Sequence, residues 1–189
     1  MTKLQSNALS QGLIIGMGHY RKIQPGAIYH VTSEINRYEM DLQSPLIKEL
    51  LLAYITRAKE KYPFELFNFC IMDNHIHLLI KPEKDQSLSI IMQWIKGNFA
   101  KHWNKLHNKK GGHLWGKRFF SEIINDVRHF WQVFNYIDQN PKRAGLVQRA
   151  EDWQFGGLYH RQHGRIDVVD ISWKAILELF LSKAPECPG

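Results

Sequence analysis

"FELFNFCIMDNHIHLLIKP", residues 64–82, holds two apolar runs parted by Asp73-Asn74. Runs of this length and composition read as strands, and two turn-forming residues between them make a hairpin. Side chains alternate along a strand, so His75 and His77 share one face while Ile76, Leu78 and Ile80 share the other. The rest of the chain can be placed around this hairpin. Upstream, "AIYHVTSEI" (27–35) is rich in β-formers and reads as a strand. Ser44-Pro45 then opens a helix, with Ser as cap and Pro at the first helical position. Its apolar stripe, Leu46, Leu50, Tyr54 and Ala58 with Ile47, Leu51 and Ile55, ends before Pro63. Downstream, Leu88, Ile91, Ile95, Phe99, Trp103 and Leu106 mark a second long helix, and "KRFFSEII" (117–124) a fourth strand after Gly111-Gly112.

The resulting order is β-α-β-β-α-β, an α+β chain of the ferredoxin-like type. Its antiparallel sheet would carry two helices on one face and leave the other open. Asn125 or Asp126 caps a further helix expected to run to Asn140, just before Pro141. These elements span a main domain over 25–147, with an N-terminal arm (1–24) and a C-terminal extension (148–189). An apolar-periodic helix is expected in that extension from Ser172 to Lys183.

The 189 residues carry a net charge of +7. A surplus of that size speaks to partners rather than fold, and nucleic acid is the commonest partner of a basic domain. The two cysteines, Cys70 and Cys187, form no CxxC and no framework of pairs, which fits a reducing cytoplasm. The apolar stretch Leu13-Ile14-Ile15-Gly16-Met17 is far too short to span a bilayer, so no membrane role is expected.

Two imidazoles side by side on an open sheet face can share a divalent metal. A bare His-x-His is more often a hydrogen-bonded or solvent-facing pair, so it needs a second signal. The helix after Asp126 supplies one. Its apolar stripe is Val127, Phe130, Trp131, Phe134 and Ile137, and at 100° per residue Tyr136 falls roughly 160° from the centre of that stripe. Asn140 lies one turn on, on the same side. A phenol is a weak nucleophile at neutral pH and needs a base, a cation or an activated electrophile. A metal on His75 and His77 would supply that help, with Asn140, or alternatively Gln139, adding an amide oxygen.

The stretch from Gln86 to Ser121 contains seven basic residues (Lys96, Lys101, Lys105, Lys109, Lys110, Lys117 and Arg118) and no Asp or Glu. Six large aromatics are interleaved: Trp94, Phe99, Trp103, Trp115, Phe119 and Phe120. Cations along a backbone with rings to stack bases suit single-stranded nucleic acid. Trp115, beside a glycine-rich turn and Lys117-Arg118, is the expected exposed stacking ring. Lys142 and Arg143, just past the expected helix end, are placed to hold phosphates.

Four blocks, "PGAIYHVTSEINR", "CIMDNHIHLLIKP", "GGHLWGKRFFSEII" and "YIDQNPKRAGLV", stand in one order across residues 25–147. In that order and spacing the chain resembles the HUH single-tyrosine (IS200-like) transposases, and among them the REP-associated tyrosine transposases. The resemblance implies a ferredoxin-like domain with His75 and His77 as metal ligands and Tyr136 attacking a DNA phosphodiester. It implies a 5′-phosphotyrosine bond and a released 3′-OH, on single-stranded DNA beside a hairpin such as a repeated palindrome. It puts the third ligand at Asn140 and Mg²⁺ or Mn²⁺ in the site, in a bacterial, nucleoid-associated protein. Asp73 stands where the family usually has Pro, and Trp153-Gln154-Phe155-Gly156-Gly157 replaces a Trp-x-Trp-Ser-Ser-like block. The rival reading is a non-catalytic single-stranded nucleic-acid-binding protein on the same fold. Monomer and homodimer are both open.

Overall fold

The computed structural model describes residues 24–36, 39–165, 167–170 and 176. Apart from Gln24 and Ile176, the expected N-terminal arm and the helix expected over Ser172–Lys183 lie outside the described residues. The elements follow one another as β1 (Tyr29–Glu34), α1 (Pro45–Lys61), β2 (Phe64–Ile71), β3 (His75–Pro82), α2 (Leu88–Leu106), β4 (Phe120–Ile123), α3 (Val127–Arg143) and α4 (Gly157–Gln162). The four strands form one sheet in the order β2-β3-β1-β4, every neighbour antiparallel. This is the α+β, ferredoxin-like arrangement expected from the element order.

One face of the sheet carries Tyr29, Val31, Leu66, Phe69, Ile76, Leu78 and Ile80, which pack with Leu51 and Ile55 of α1 and Ile91, Ile95 and Phe99 of α2. The expectation that the other face stands open needs correction. Helix α3 lies across its β2 side and closes a second core, in which Phe130, Val133 and Ile137 meet Ile28, Phe67, Cys70 and Leu79. A bulge between Leu66 and Asn68 lets Phe67 and Asn68 both face α3. The core stripe of α3 is therefore Phe130, Val133, Ile137 and Pro141, whereas Trp131 is exposed.

Helix α3 also outruns its expected end. Asp126 caps it, its Oδ1 accepting from His129 N–H at 2.8 Å, and the helix continues through Pro141 to Arg143. Proline costs an interior helix one hydrogen bond and a clash. At the third residue from the end the loss is small, and the end is well closed. Gly145, at φ +73°, donates to Lys142 O, and Leu146 donates to Pro141 O, each at 3.0 Å. This is the paired closure that a left-handed glycine provides. Strand β4 is shorter than expected, so Lys117 and Arg118 lie in the loop before it.

The hairpin turn that precedes His75 is held from outside. Lys48 of α1, fully buried, donates to Asp73 Oδ1 at 2.7 Å and to Gln43 O at 2.9 Å. Backbone N–H groups of Leu42 and Ile35 reach Asp73 O and Asn74 O. Among the described residues no helix is long and apolar enough to cross a membrane.

Candidate active site

Three strands and one helix meet at the uncovered part of the second face. Direct partners on neighbouring antiparallel strands point the same way. The pairings Thr32↔His77, Glu34↔His75, Thr32↔Phe120 and His30↔Glu122 therefore put all seven side chains on this face. They line a trough of about 500 Å³ with Asn74 and Tyr136.

His77 lies deepest, only 4% exposed. Its ring meets Tyr136 edge-on at 5.5 Å between centroids, His75 at 4.9 Å, and His30 in a stack at 5.2 Å. Its Nδ1 lies 3.1 Å from His30 Nε2 and 3.2 Å from Thr32 Oγ1, and its Nε2 lies 3.1 Å from Asn140 Nδ2. His75 Nδ1 donates to Asn74 Oδ1 at 2.7 Å, leaving its Nε2 as an acceptor. Burial lowers the pKa of all three histidines, aided for His77 by its two imidazole neighbours and for His30 by His129. His77 falls to about 2 and His30 to about 4, so both are neutral at physiological pH. Neutral imidazoles are what metal ligation requires.

These donors fit a divalent ion. Partners on Nδ1 fix each ring, the usual support behind a ligating histidine, and Asn140 is the group that meets His77 Nε2. The Asn140 amide could turn its oxygen toward the same point, since amide N and O are assigned by hydrogen bonding. Among the described residues no three His, Cys, Asp or Glu side chains gather as a metal-binding group. The amide side chain that meets His77 is Asn140, at 3.1 Å from Nε2.

Tyr136 is 39% exposed, and its ring faces His30 and His77 as well as the trough. The Arg143 guanidinium lies 5.4 Å over that ring. Arg143 and Lys142 are in the last turn of α3, not beyond it. The structure thus gathers Tyr136, His75, His77, Asn140 and Arg143.

It does not gather the remaining basic residues there. Lys96, Lys101 and Lys105 ride on α2, behind the opposite face of the sheet, and Lys109 and Lys110 follow in the turn after it. Lys109 Nζ sits 4.4 Å over the Trp103 ring. Trp115 is not the exposed ring expected. It is 8% exposed, packs in the core against Phe99, and donates from Nε1 to Lys96 O at 3.0 Å. With Lys96 and Arg118 it forms the wall of a separate cavity of about 670 Å³. The bridge from Ile35 to Trp115 explains the burial, because it draws the loop back onto the sheet.

Phe120, one of the six interleaved rings, lines the trough, and the residues not anticipated there are His30, Thr32, Glu34, Asn74 and Glu122. Their signal was present: His30, Thr32 and Glu34 alternate with Tyr29, Val31 and Ile35, a polar period of two on a strand.

The model of the family described as "Transposase IS200 like" matches residues 24–140. The chain belongs to that family. A REP-associated tyrosine transposase of Haemophilus influenzae is 30% identical over 155 residues, covering 77% of this chain and 87% of its own. One from Escherichia coli K12 is 28% identical over 160 residues, covering 83% and 91%. A solved REP-associated tyrosine transposase bound to a REP hairpin superposes with a TM-score of 0.65 at 26% identity, covering 83% of this chain and 91% of that one. Within the family, this transposase falls in the REP-associated branch.

Proposed function

We propose that this transposase cleaves and rejoins single-stranded DNA beside hairpins, with Tyr136 as nucleophile and Mg²⁺ or Mn²⁺ held by His75, His77 and Asn140. The observation that carries the reading is the phenol of Tyr136 standing over His77 at the mouth of the trough. The half-exposed ring packs edge-on against the buried His77, which puts tyrosine and imidazoles in one trough.

A bound divalent ion would polarise the scissile phosphate and offset the charge developing on it. The chain's own groups do the rest. Tyr136 Oη attacks phosphorus, the P–O3′ bond breaks, and the strand's 5′ phosphate stays on the tyrosine. The phenol loses one proton and the departing 3′ oxygen gains one, so the proton count is unchanged. Because one phosphodiester replaces another, a 3′-OH can reverse the step without ATP. Arg143, over the Tyr136 ring, stands where a phosphate flanking the cut would lie. Asn74 holds His75, and Thr32 holds His77, by Nδ1. The hairpin bound by the structural relative suggests the substrate, and the setting would be the nucleoid of a bacterial cytoplasm.

The test uses hairpin DNAs with a single-stranded flank, labelled on one or the other side of the cut. Label 3′ of the cut should move onto the protein, while label 5′ of it should leave on a strand that a polymerase can extend. Transfer of the 5′-side label to the protein would reverse the polarity and refute this chemistry. Mn²⁺ binding, read by its electron spin resonance signal, should weaken at least tenfold in His75→Ala. An unchanged titration would remove the metal from the site.

A further inference from the structure

One row of side chains crosses three strands: His77 on β3, Thr32 on β1 and Phe120 on β4, each the direct partner of the next. Two strand spacings, about 10 Å, separate the backbone of Phe120 from that of His77. Phe120 is 63% exposed, the most exposed phenyl, phenol or indole ring among the described residues. Its neighbour Phe119 is in the core, so the chain spends one ring on packing and leaves the next on the same trough as Tyr136. A single exposed apolar ring needs no explanation by itself, but this one lies in register with His77 and lines the same trough as Tyr136.

The charges around the trough are uneven. Glu34 and Glu122 line its β1–β4 side, with Glu122 Oε1 3.8 Å from His129 Nε2, whereas the Arg143 guanidinium stands over Tyr136 on the α3 side. Phosphates are repelled from the first side and drawn to the second. What the acidic side can accept is an uncharged, flat group.

We propose that Phe120 is a stacking platform for one unpaired nucleobase of the strand whose backbone lies over His75 and His77. This rests on the DNA-cleavage reading and adds to it a reason for single-stranded substrate. Base faces are hidden in a duplex and free in a single strand, so a platform beside the scissile phosphate selects unpaired DNA. It also fixes the strand's direction across the trough, with backbone toward α3 and base toward β4.

The test places 2-aminopurine at successive positions of the single-stranded flank and follows its fluorescence on binding, in a Tyr136→Phe background that prevents cutting. One position near the cut should be quenched. Phe120→Ala should lose that quenching and weaken binding about tenfold, and Phe120→Leu, which keeps apolar bulk without a flat ring, should do the same. Phe120→Trp should restore both. Because the side chain is mostly in solvent, circular dichroism of all three should match the parent. Equal quenching and affinity in Phe120→Ala would overturn the platform. So would a change in oligomeric state in that variant without any change in DNA binding, since the ring would then serve a protein contact. The covalent product of the wild-type chain on the same DNA is scored separately. If it is absent while quenching still depends on Phe120, the cleavage reading fails and the platform stands.

Discussion

His77 is surrounded by Tyr136, His75, His30 and Asn140, and each contact takes water from it. A charged imidazole is disfavoured there, which makes the site a store of acid sensitivity. In the unfolded chain His30 and His77 take up protons near pH 6.5, but in the fold only near about 4 and about 2. Between those values the unfolded state holds more protons, so stability falls as pH drops below 6.5. Chelator-treated protein in urea melts should lose stability at about 1.4 kcal/mol per pH unit for each such proton. His30→Gln, which removes one of them, should flatten the slope between pH 6.5 and 5; an unchanged slope would mean the imidazoles are not held neutral. At this scale the sequence was legible where periodicity applied. Strand alternation placed His75 and His77 together, and helix geometry turned Tyr136 out of the α3 stripe. It misjudged Trp115, because local composition does not reveal that Ile35 draws the 115 loop onto the sheet.

Helix α3 carries the tyrosine, and its position depends on the segment after it. Arg161 of α4 reaches Asp138 Oδ2 at 2.6 Å and Asn68 Oδ1 at 3.0 Å, while Asn68 Nδ2 donates to Asp138 Oδ1 at 2.8 Å and to Phe134 O at 3.0 Å. Strand β2, α3 and α4 are thereby joined two residues from Tyr136. Gly157 is what lets α4 come this close, because a Cβ there would run into the Asn68 carboxamide. Gly157→Ala should destabilise the protein by about 1–3 kcal/mol in denaturant melts. It should also slow adduct formation more than it weakens DNA binding. A fully stable, fully active variant would show that α4 does not position α3. None of this was legible in the sequence. The strands and first two helices announce themselves by period and by caps such as Ser44-Pro45. A contact between residues 68, 138 and 161 joins segments with no local pattern in common. Pro141 misled for the opposite reason, since a local rule predicted a stop that the Gly145 closure postponed.

Among the described residues the basic groups lie on both sides of the sheet. Arg143 lies over the Tyr136 ring at the trough, whereas Lys101 and Lys105 lie on α2 behind the other face. Each cation that neutralises a DNA phosphate adds about 1 to the salt dependence of binding. Arg143→Ala should therefore reduce the slope of log Kd against log salt by about 1, and Lys101→Ala should leave it nearly unchanged. Equal reductions would mean that the hairpin wraps round to α2. The total charge was read correctly from the sequence as a sign of nucleic acid, but its distribution needed the fold. The central claim, that this transposase works through Tyr136, is most directly tested by one comparison. Wild-type and Tyr136→Phe proteins are incubated with a labelled hairpin DNA and Mn²⁺ or Mg²⁺, then run on a denaturing gel. The account predicts a metal-dependent, denaturant-resistant protein–DNA band that vanishes in the variant while hairpin binding persists. The same band in Tyr136→Phe, or none in the wild type across varied hairpins and both metals, would contradict it.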